Sequence, residues 1–314
     1  MRIVLAGGAG DVGQHVGSYL CRQGHQLTIL DKKEATFAWA ASNNVTVYKG
    51  DLTDLHLLKD IVAGSDLVVN LAWSFSDNPH ILFESDVSGH INLLEAAAAA
   101  QVKRVVYTST AGVYGVPPSH IVEEDYTCRP DRARKPLYAV AKHCAEQLSL
   151  VLEKKYKLPT TILRFWWAFG DSIGGRHLQE LIRLALANQP IQMAANAGGT
   201  FVRMDDLGYA IELAAADQQL IGKVYNIGSL FLPWPAIGQS IIDLTNSTSP
   251  LQLIASKDWV GPAFLNETWQ LSWAKATREI GYQPQLSVDN ALAAFRKALI
   301  SCIDSVKNQP PKAR

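Results

Sequence analysis

The sequence begins with an apolar strand pattern that runs directly into a glycine-rich turn. Residues 2–13 read RIVLAGGAGDVG, in which Ile3–Leu5 has the character of a central strand. Gly7, Gly10 and Gly13 remove side chains where the backbone must approach a bound pyrophosphate or another segment closely. A helix that begins at this turn would aim its free N–H groups and its positive dipole end at an anion. The turn therefore predicts a phosphate-binding site, with a glycine turn that serves packing alone as the alternative.

A second apolar strand, Gln26 to Leu30, is followed by an acidic residue where a dinucleotide-binding fold needs one. Asp31 comes about 20 residues after the turn, and a carboxylate there can accept hydrogen bonds from the ribose hydroxyls of adenosine. The same charge repels a 2′-phosphate, so the sequence favours NAD over NADP. Lys32 and Lys33 follow directly and could weaken that preference.

Charge and cysteine content narrow the classes of partner. The 314 residues contain 29 basic and 29 acidic side chains, so nothing favours nucleic acid or an anionic membrane surface. The four cysteines have wide, irregular spacings that fit neither a zinc site nor a disulfide framework, and we expect no metal. We find no apolar run of membrane-spanning length and no cleavable signal before the first strand. These observations favour a soluble, cytoplasmic protein that binds a small-molecule substrate.

Strand and helix patterns alternate through the first half of the chain. Strand-like runs recur at residues 45–48, 67–70, 104–108 and 160–163, and helical patterns run from about 79 to 101 and from 136 to 156. This alternation predicts an α/β fold with a doubly wound parallel sheet. After Arg164 the pattern loosens into short strands and proline-bearing turns, which indicates a smaller substrate lobe.

The domain boundaries follow from this change of pattern. We expect residues 1–164, with returning segments near 201–228, to form the nucleotide-binding domain. Residues 165–307 should form most of the substrate-binding lobe. The tail 308–314 contains two prolines and should be disordered.

A tyrosine and a lysine four residues apart are the candidates for the chemistry. Tyr138 and Lys142 lie within the predicted helix 136–156, so both side chains emerge on one face. The lysine charge favours the phenolate, which would lower the pKa of the tyrosine, and its amino group could hold a ribose. Such a tyrosine can act as acid or base between an alcohol and a ketone. Because this spacing is common on surface helices, the segment 108–115 with its polar cluster at the end of the fifth strand is needed as support.

These motifs together resemble the extended short-chain dehydrogenase/reductase family, also called the NAD-dependent epimerase/dehydratase family. The resemblance covers nearly the whole chain and implies a Rossmann-type sheet with a smaller C-terminal substrate lobe. The segments that carry it are 7–13, Asp31, 50–54, 70–72, 109–115, 138–142, 163–170, 202–207, 225–228 and 275–284.

The resemblance also implies roles for individual residues. Tyr138 would be the acid/base, Lys142 its partner and Thr110 the assisting hydroxyl, with Ser109 as the alternative. The cofactor would contact Gly7, Gly10, Asp11, Val12, Gly13, Asp31, Asp51, Leu52, Leu71, Ala72, Tyr138 and Lys142. Family members often form homodimers through two helices of each subunit, which here would be those around residues 91–100 and 136–156.

Departures from the family pattern fall on the substrate side. Ala111 and Gly112 stand where family dehydratases carry Asp and Glu, which argues against sugar 4,6-dehydration. Trp167 stands where family epimerases have an asparagine for the substrate diphosphate, and residues 198–200 lack an arginine usual there. The aromatic run 165–169 could instead wall a pocket for an aromatic, terpenoid or compact sugar-acid substrate, with about half of its rings in the core.

The candidate substrate contacts come from several segments of the chain. They are Trp73, Phe75, Thr110, Trp167, His177 and Arg203. Trp73 and Phe75 follow a strand end, whereas Arg203 and His177 could orient a carboxylate or phosphate. The basic run 129–135 is expected to be a solvated loop, with a lid over an anionic substrate as the alternative.

Three functions are consistent with these patterns. The leading hypothesis is an NAD-dependent oxidoreductase that transfers hydride between nicotinamide and a secondary alcohol or ketone of a sugar-like or other small substrate. The first alternative is a nucleotide-sugar epimerase with tightly bound NAD, and the second is a non-catalytic dinucleotide sensor. Retention of Tyr138 and Lys142 argues against the sensor.

Overall fold

The computed structural model describes residues 1–33, 37–40, 45–118, 120–216 and 222–308. The strands are β1 (Arg2–Ala6), β2 (Gln26–Asp31), β3 (Val45–Lys49), β4 (Leu67–Asn70), β5 (Arg104–Thr110), β6 (Thr160–Phe165), β7 (Trp167–Phe169), β8 (Ile191–Ala194), β9 (Gly198–Arg203), β10 (Lys223–Asn226), β11 (Leu230–Pro233), β12 (Leu251–Ile254) and β13 (Thr268–Trp269). The helices are α1 (Asp11–Arg22), α2 (Leu55–Val62), α3 (Pro79–Ile81), a π-helical segment (Leu82–Ser88), α4 (Gly89–Ala99), α5 (Pro136–Tyr156), α6 (Arg176–Leu186), α7 (Met204–Ala216), α8 (Trp234–Thr245), α9 (Ala274–Ile280) and α10 (Val288–Lys307). Asn308 caps α10, and the rest of the predicted disordered tail, 309–314, lies outside the described residues.

The main sheet is parallel and has seven strands in the order β10-β6-β5-β4-β1-β2-β3. The order reverses between β1 and β4, and a doubly wound sheet binds its ligand in the crevice at such a point. The predicted fold class, a Rossmann-type doubly wound sheet, is confirmed. The glycine turn after β1 and the loop after β4 meet at this crevice.

Both faces of the main sheet are covered, which explains the continuous apolar runs of its strands. Ile3 and Leu5 pack with α1 and α7 on one face, whereas Val4 and Ala6 pack with α2 and α4 on the other. The alanines 96 and 97 are buried in this second core.

A second lobe contributes the other wall of the crevice. Its sheet has the order β11-β9-β13 with β7 also paired to β9, and a two-stranded sheet joins β12 to β8. Its core includes Phe169, Leu181, Ile237 and Phe295 from β7, α6, α8 and α10. The returning strand β10 belongs to the main sheet, while the exact division of the chain into domains stays a prediction. No helix of the described residues is long and apolar enough to cross a membrane.

Candidate active site

The three glycines of the first turn differ in what surrounds them. Gly7 has a φ of 80°, and a Cβ there would lie 2.5 Å from the backbone nitrogen of Ala72. A Cβ on Gly13 would lie 2.2 Å from the carbonyl oxygen of Gly7, so both glycines are needed for packing. A Cβ on Gly10 would meet only that same oxygen, at 3.5 Å. Packing therefore does not explain Gly10, whose open side faces the space before α1.

Gly10 is also the N-cap residue of α1. Because glycine has no side chain to cap the helix, the N–H groups of the first turn are left for a ligand. Asp11 and Val12, the first two residues of α1, line the large cavity described below. An uncapped helix start beside a glycine with free space fits a dinucleotide pyrophosphate.

The acidic residue after the second strand is held against the glycine turn. Asp31 accepts hydrogen bonds from the backbone N–H of Ala9 at 2.9 Å and of Lys33 at 3.0 Å. The amino group of Lys32 lies 2.7 Å from the Asp51 carboxylate and donates to the hydroxyl of Ser85 at 2.6 Å. The charge of Lys32 is thus engaged by Asp51, which removes one of the two lysines expected to weaken a preference for NAD.

Partial burial raises the pKa of Asp51, but hydrogen bonds from Lys32 and Thr53 bring it below its usual value. The carboxylate is therefore ionised at neutral pH. Leu52 is buried beneath α4, where a Cβ on Gly89 would touch it, while Leu71 and Ala72 are half-buried on the loop after β4. The predicted cofactor contacts thus line the ends of the strands on both sides of the crevice.

The predicted catalytic residues converge at the ends of β5 and α5. Thr110 is the last residue of β5, and its hydroxyl accepts the N–H of Gly112 at 3.1 Å and hydrogen-bonds to Tyr138. Ser109, the alternative hydroxyl, is buried beside Glu146 instead. Lys142 is 3% exposed and donates to the carbonyl of Thr108 at 2.8 Å.

The pKa values of this pair differ from the sequence expectation. Burial raises the pKa of Tyr138 to about 12, although the hydrogen bond with Thr110 acts to lower it. Burial lowers the pKa of Lys142 to about 7 against the attraction of Asp86 and Glu146. The lowered pKa predicted for Tyr138 is therefore not found, because desolvation and the negative charge of Asp86 raise it by more than the hydrogen bond with Thr110 lowers it.

The loop that follows β4 packs over the tyrosine. The ring of Trp73 meets Tyr138 edge-on with centroids 5.7 Å apart, and the ring of Phe75 stacks on it at 5.5 Å. The Lys142 ammonium lies 4.0 Å from the centre of the Trp73 ring. Phe75 is 64% exposed and lines the cavity, whereas Trp73 fills the space between Tyr138 and Lys142.

Sequence reasoning missed the residue that anchors this loop. Asp86 lies on the π-helical segment, is buried, and accepts hydrogen bonds from the N–H of Ser74 at 2.9 Å and from its hydroxyl at 2.6 Å. Burial raises its pKa, and Lys142 acts against that shift. Single π-helical turns are frequent at functional sites, but helical periodicity does not reveal them. The signal that could have revealed Asp86 is an acidic residue among the apolar residues of a predicted helix.

A cavity of about 1120 Å³ extends from the start of α1 past Tyr138 to the second lobe. Its lining combines aromatic rings with charged side chains. The aromatic lining residues are Phe75, Phe165, Trp166, Trp167, Phe264 and Trp269, and the charged ones include Asp11, Arg134, Lys135, Arg176 and Glu267. The cavity thus joins Thr110 and Tyr138 to the aromatic run after β6.

Four of the six predicted substrate residues line this cavity, whereas Trp73 and Arg203 do not. Trp167 and His177 line it, as do Arg134 and Lys135 from the basic run before α5. Of the aromatic run, Phe169 alone is fully buried, so fewer of these rings belong to the core than we expected. Arg203 lines a neighbouring cavity and pairs with Asp205 at 2.9 Å, a placement that gives no support to its predicted role.

The family model of the NAD dependent epimerase/dehydratase family matches residues 3–228. The chain belongs to this family. It is 27% identical over 80% of its length to a UDP-N-acetyl-α-D-glucosaminuronate decarboxylase of Bacillus cytotoxicus, of which 82% is covered. It is 28% identical over 95% of its length to a UDP-glucose 4-epimerase of Lactobacillus helveticus, of which 96% is covered.

Solved structures agree with this assignment. A dTDP-glucose 4,6-dehydratase of Streptomyces venezuelae with NAD bound superposes with a TM-score of 0.76 at 25% identity, covering 95% of this chain and 96% of that one. A UDP-glucose 4-epimerase of Thermotoga maritima gives a TM-score of 0.78 at 20% identity, covering 98% and 100%. The predicted family, the enzyme class and the NAD cofactor are therefore confirmed, while the roles of individual residues stay predictions.

Proposed function

We propose that this enzyme interconverts a secondary alcohol and a ketone of a sugar-like or other small substrate, with Tyr138 as the acid/base. The observation that carries the proposal is the position of Tyr138. Its phenol is hydrogen-bonded to Thr110 and borders the cavity that begins at the N-terminus of α1. A substrate oxygen in that cavity can reach both hydroxyls.

The first turn and its surroundings would hold the NAD. Gly10 and the start of α1 would bind the pyrophosphate, and Asp31 and Asp51 would lie at the adenosine end. When bound, NAD supplies the oxidising or reducing equivalent for the carbon that carries the substrate oxygen. The space beside Gly10 supports this assignment.

Tyr138 moves the proton at the substrate oxygen. With a pKa of about 12 the phenol is protonated at neutral pH, so it is prepared to donate to a developing alkoxide. Thr110 orients that oxygen, and Lys142 holds the carbonyl of Thr108 and thus the end of β5.

The residues beside Thr110 bear on the competing reactions. Ala111 and Gly112 offer no acid that could protonate a leaving hydroxyl, which disfavours dehydration. Epimerisation with tightly held NAD needs no further acid and remains the second candidate, favoured by the 28% identity to a UDP-glucose 4-epimerase. Turnover of nucleotide sugars without net change of NAD would identify it.

We also infer a homodimer built on α5. Leu137, Val140 and Val151 are exposed on this helix and recur at roughly helical spacing, so together they offer an apolar stripe for a second copy. Sedimentation at several concentrations would test this, since a Val151→Glu variant should remain monomeric. The four free cysteines support a reducing, cytoplasmic location.

The deciding experiment on function is Tyr138→Phe. We expect turnover to fall about 10²- to 10⁴-fold because a proton donor is lost, while the dissociation constant of NAD stays within about twofold. The absorbance of the reduced cofactor measures turnover with a panel of sugars, sugar acids, aromatic alcohols and nucleotide sugars. Calorimetry measures the dissociation constant of NAD. Tyr126→Phe, a tyrosine outside the cavity lining, is the control.

Near-native turnover in Tyr138→Phe would refute the role of the tyrosine. No turnover of any substrate, combined with unchanged NAD binding in the variant, would favour the dinucleotide sensor instead.

A further inference from the structure

Lys32 lies at the end of the crevice where NAD and NADP differ. It follows Asp31 directly at the end of β2, and the acidic residue at this position receives the ribose of adenosine in dinucleotide-binding folds. NADP carries a phosphate on that ribose, and proteins that accept it place a cationic side chain nearby. The groups that hold the Lys32 ammonium therefore bear on the choice between the two cofactors.

The ammonium of Lys32 has acceptors on two separate elements. It lies 2.7 Å from Oδ2 of Asp51, which follows β3, and it donates a hydrogen bond to Oγ of Ser85 on the π-helical segment at 2.6 Å. Ser85 is buried, so its hydroxyl is held in place by packing. Together the two acceptors fix the end of a side chain whose four-carbon stem is otherwise flexible.

The carboxylate of Asp51 is itself held by the backbone. Its Oδ1 accepts the N–H of Thr53 at 3.1 Å. The carbonyl of Asp31 accepts the N–H of Gly50 at 2.9 Å, which joins the ends of β2 and β3. A ligand that recruits the Lys32 ammonium must therefore compete with a fixed, ionised carboxylate.

The partial exposure of this ion pair sets the size of the effect. The side chains of Lys32 and Asp51 are 54% and 34% exposed. A pair of this kind changes an equilibrium constant by up to about fivefold. Such a factor is small beside the stability of a whole domain, but it is large enough to alter a preference between two cofactors.

We propose that Asp51, with Ser85 as the second acceptor, forms a tether that withholds Lys32 from a 2′-phosphate and thereby strengthens the preference for NAD over NADP. Asp31 repels the phosphate by its own charge, and the tether removes the cation that would compensate for this repulsion. The inference rests on the proposed function in placing the adenosine at Asp31.

The test measures the ratio of the dissociation constants of NADP and NAD by calorimetry, at one salt concentration because salt screens charges. A ratio is used because Asp51 is itself expected at the adenosine end, and losses common to both cofactors cancel. Lys32→Met should raise this ratio about threefold to fivefold more in an Asp51→Asn background than in the wild type, because only there is the ammonium released. The long-range effect of removing one positive charge is the same in both backgrounds and cancels.

Asp54→Asn is the matched control background. It removes the same charge three residues later, where the carboxylate caps α2 by accepting the N–H of Leu57 at 3.0 Å. In this background Lys32→Met should change the ratio as it does in the wild type.

An equal effect of Lys32→Met in the wild type and in the Asp51→Asn background would overturn the proposal, because Asp51 would then act only through its own charge. Asp31→Ala separates that failure from a failure of the adenosine placement. Its ratio should fall, since the carboxylate that repels the phosphate is lost. An unchanged ratio in Asp31→Ala would show that the adenosine does not lie at Asp31.

Discussion

On the α1 side of the cavity Gly10 leaves open space before a helix N-terminus, whereas on the second-lobe side Trp166 fills the space beside Gly199. Neither position carries a side chain, but Gly10 leaves space for a ligand, whereas Gly199 leaves space for the ring of Trp166. The cofactor half of the cavity keeps the sequence pattern of the family, whereas the substrate half departs from it. The contact distances of a Cβ distinguish these two roles of glycine, whereas the residue type alone does not.

Lys142 belongs to the cofactor half, where it is buried one helical turn after Tyr138, and its charge gives the largest expected effect. Its pKa is about 7 when folded, against an ordinary value of 10.5. Between these values the unfolded chain holds a proton that the folded protein lacks, so stability rises with pH. Relative to Lys142→Met, the wild type should gain about 1.4 kcal/mol per pH unit from pH 7 to 9.5, roughly 3 kcal/mol in all.

Urea unfolding of both proteins at several pH values would measure this gain, with Lys154→Met as the matched removal of an exposed lysine from α5. A stability difference between wild type and Lys142→Met that stays constant with pH would mean that Lys142 keeps its charge. Its attraction to Asp86 and Glu146 would then outweigh burial.

The substrate half is tested by adding one methyl group. Gly199→Ala places a Cβ 1.8 Å from the Trp166 ring, and overpacking of this kind costs about 1–3 kcal/mol. In a Trp166→Leu background the same change should cost at least about 1 kcal/mol less, which a double-mutant cycle by urea unfolding measures. Gly174→Ala, which would contact nothing within 4 Å, is the control. An equal cost in both backgrounds would show that the two positions are not coupled.

The sequence predicted most of the cofactor half because its signals are local. Strands buried on both faces are continuous apolar runs, and the helix from Pro136 to Tyr156 has the predicted bounds, with a proline at its first position. Thr110 and Tyr138 meet because the ends of a strand and a helix converge at the crevice. Each of these facts depends on a few neighbouring residues.

The substrate half could not be predicted in the same way because its contacts join distant segments. Arg203 pairs with its neighbour Asp205 and lines a different cavity, whose other residues include several from α1 and α10, far away in the sequence. The high pKa of Tyr138 depends on burial by a loop that Asp86 anchors from a π-helical turn. A helical hydrophobic pattern of period 3.6 predicts neither the placement of Arg203 nor the pKa of Tyr138.

The smallest expected change in stability, and the sharpest test of the cofactor half, is Gly10→Ala. Its Cβ has ordinary contact distances, and the loss of a glycine N-cap is offset by the reduced entropy of the unfolded chain. Stability should therefore change by less than about 1 kcal/mol. NAD should bind about tenfold more weakly, since the methyl group stands where the pyrophosphate approaches the backbone. Calorimetry with NAD and urea unfolding measure the two effects. Unchanged NAD affinity would show that the space beside Gly10 is not used by the cofactor, and the contrast with Gly199 would then fail.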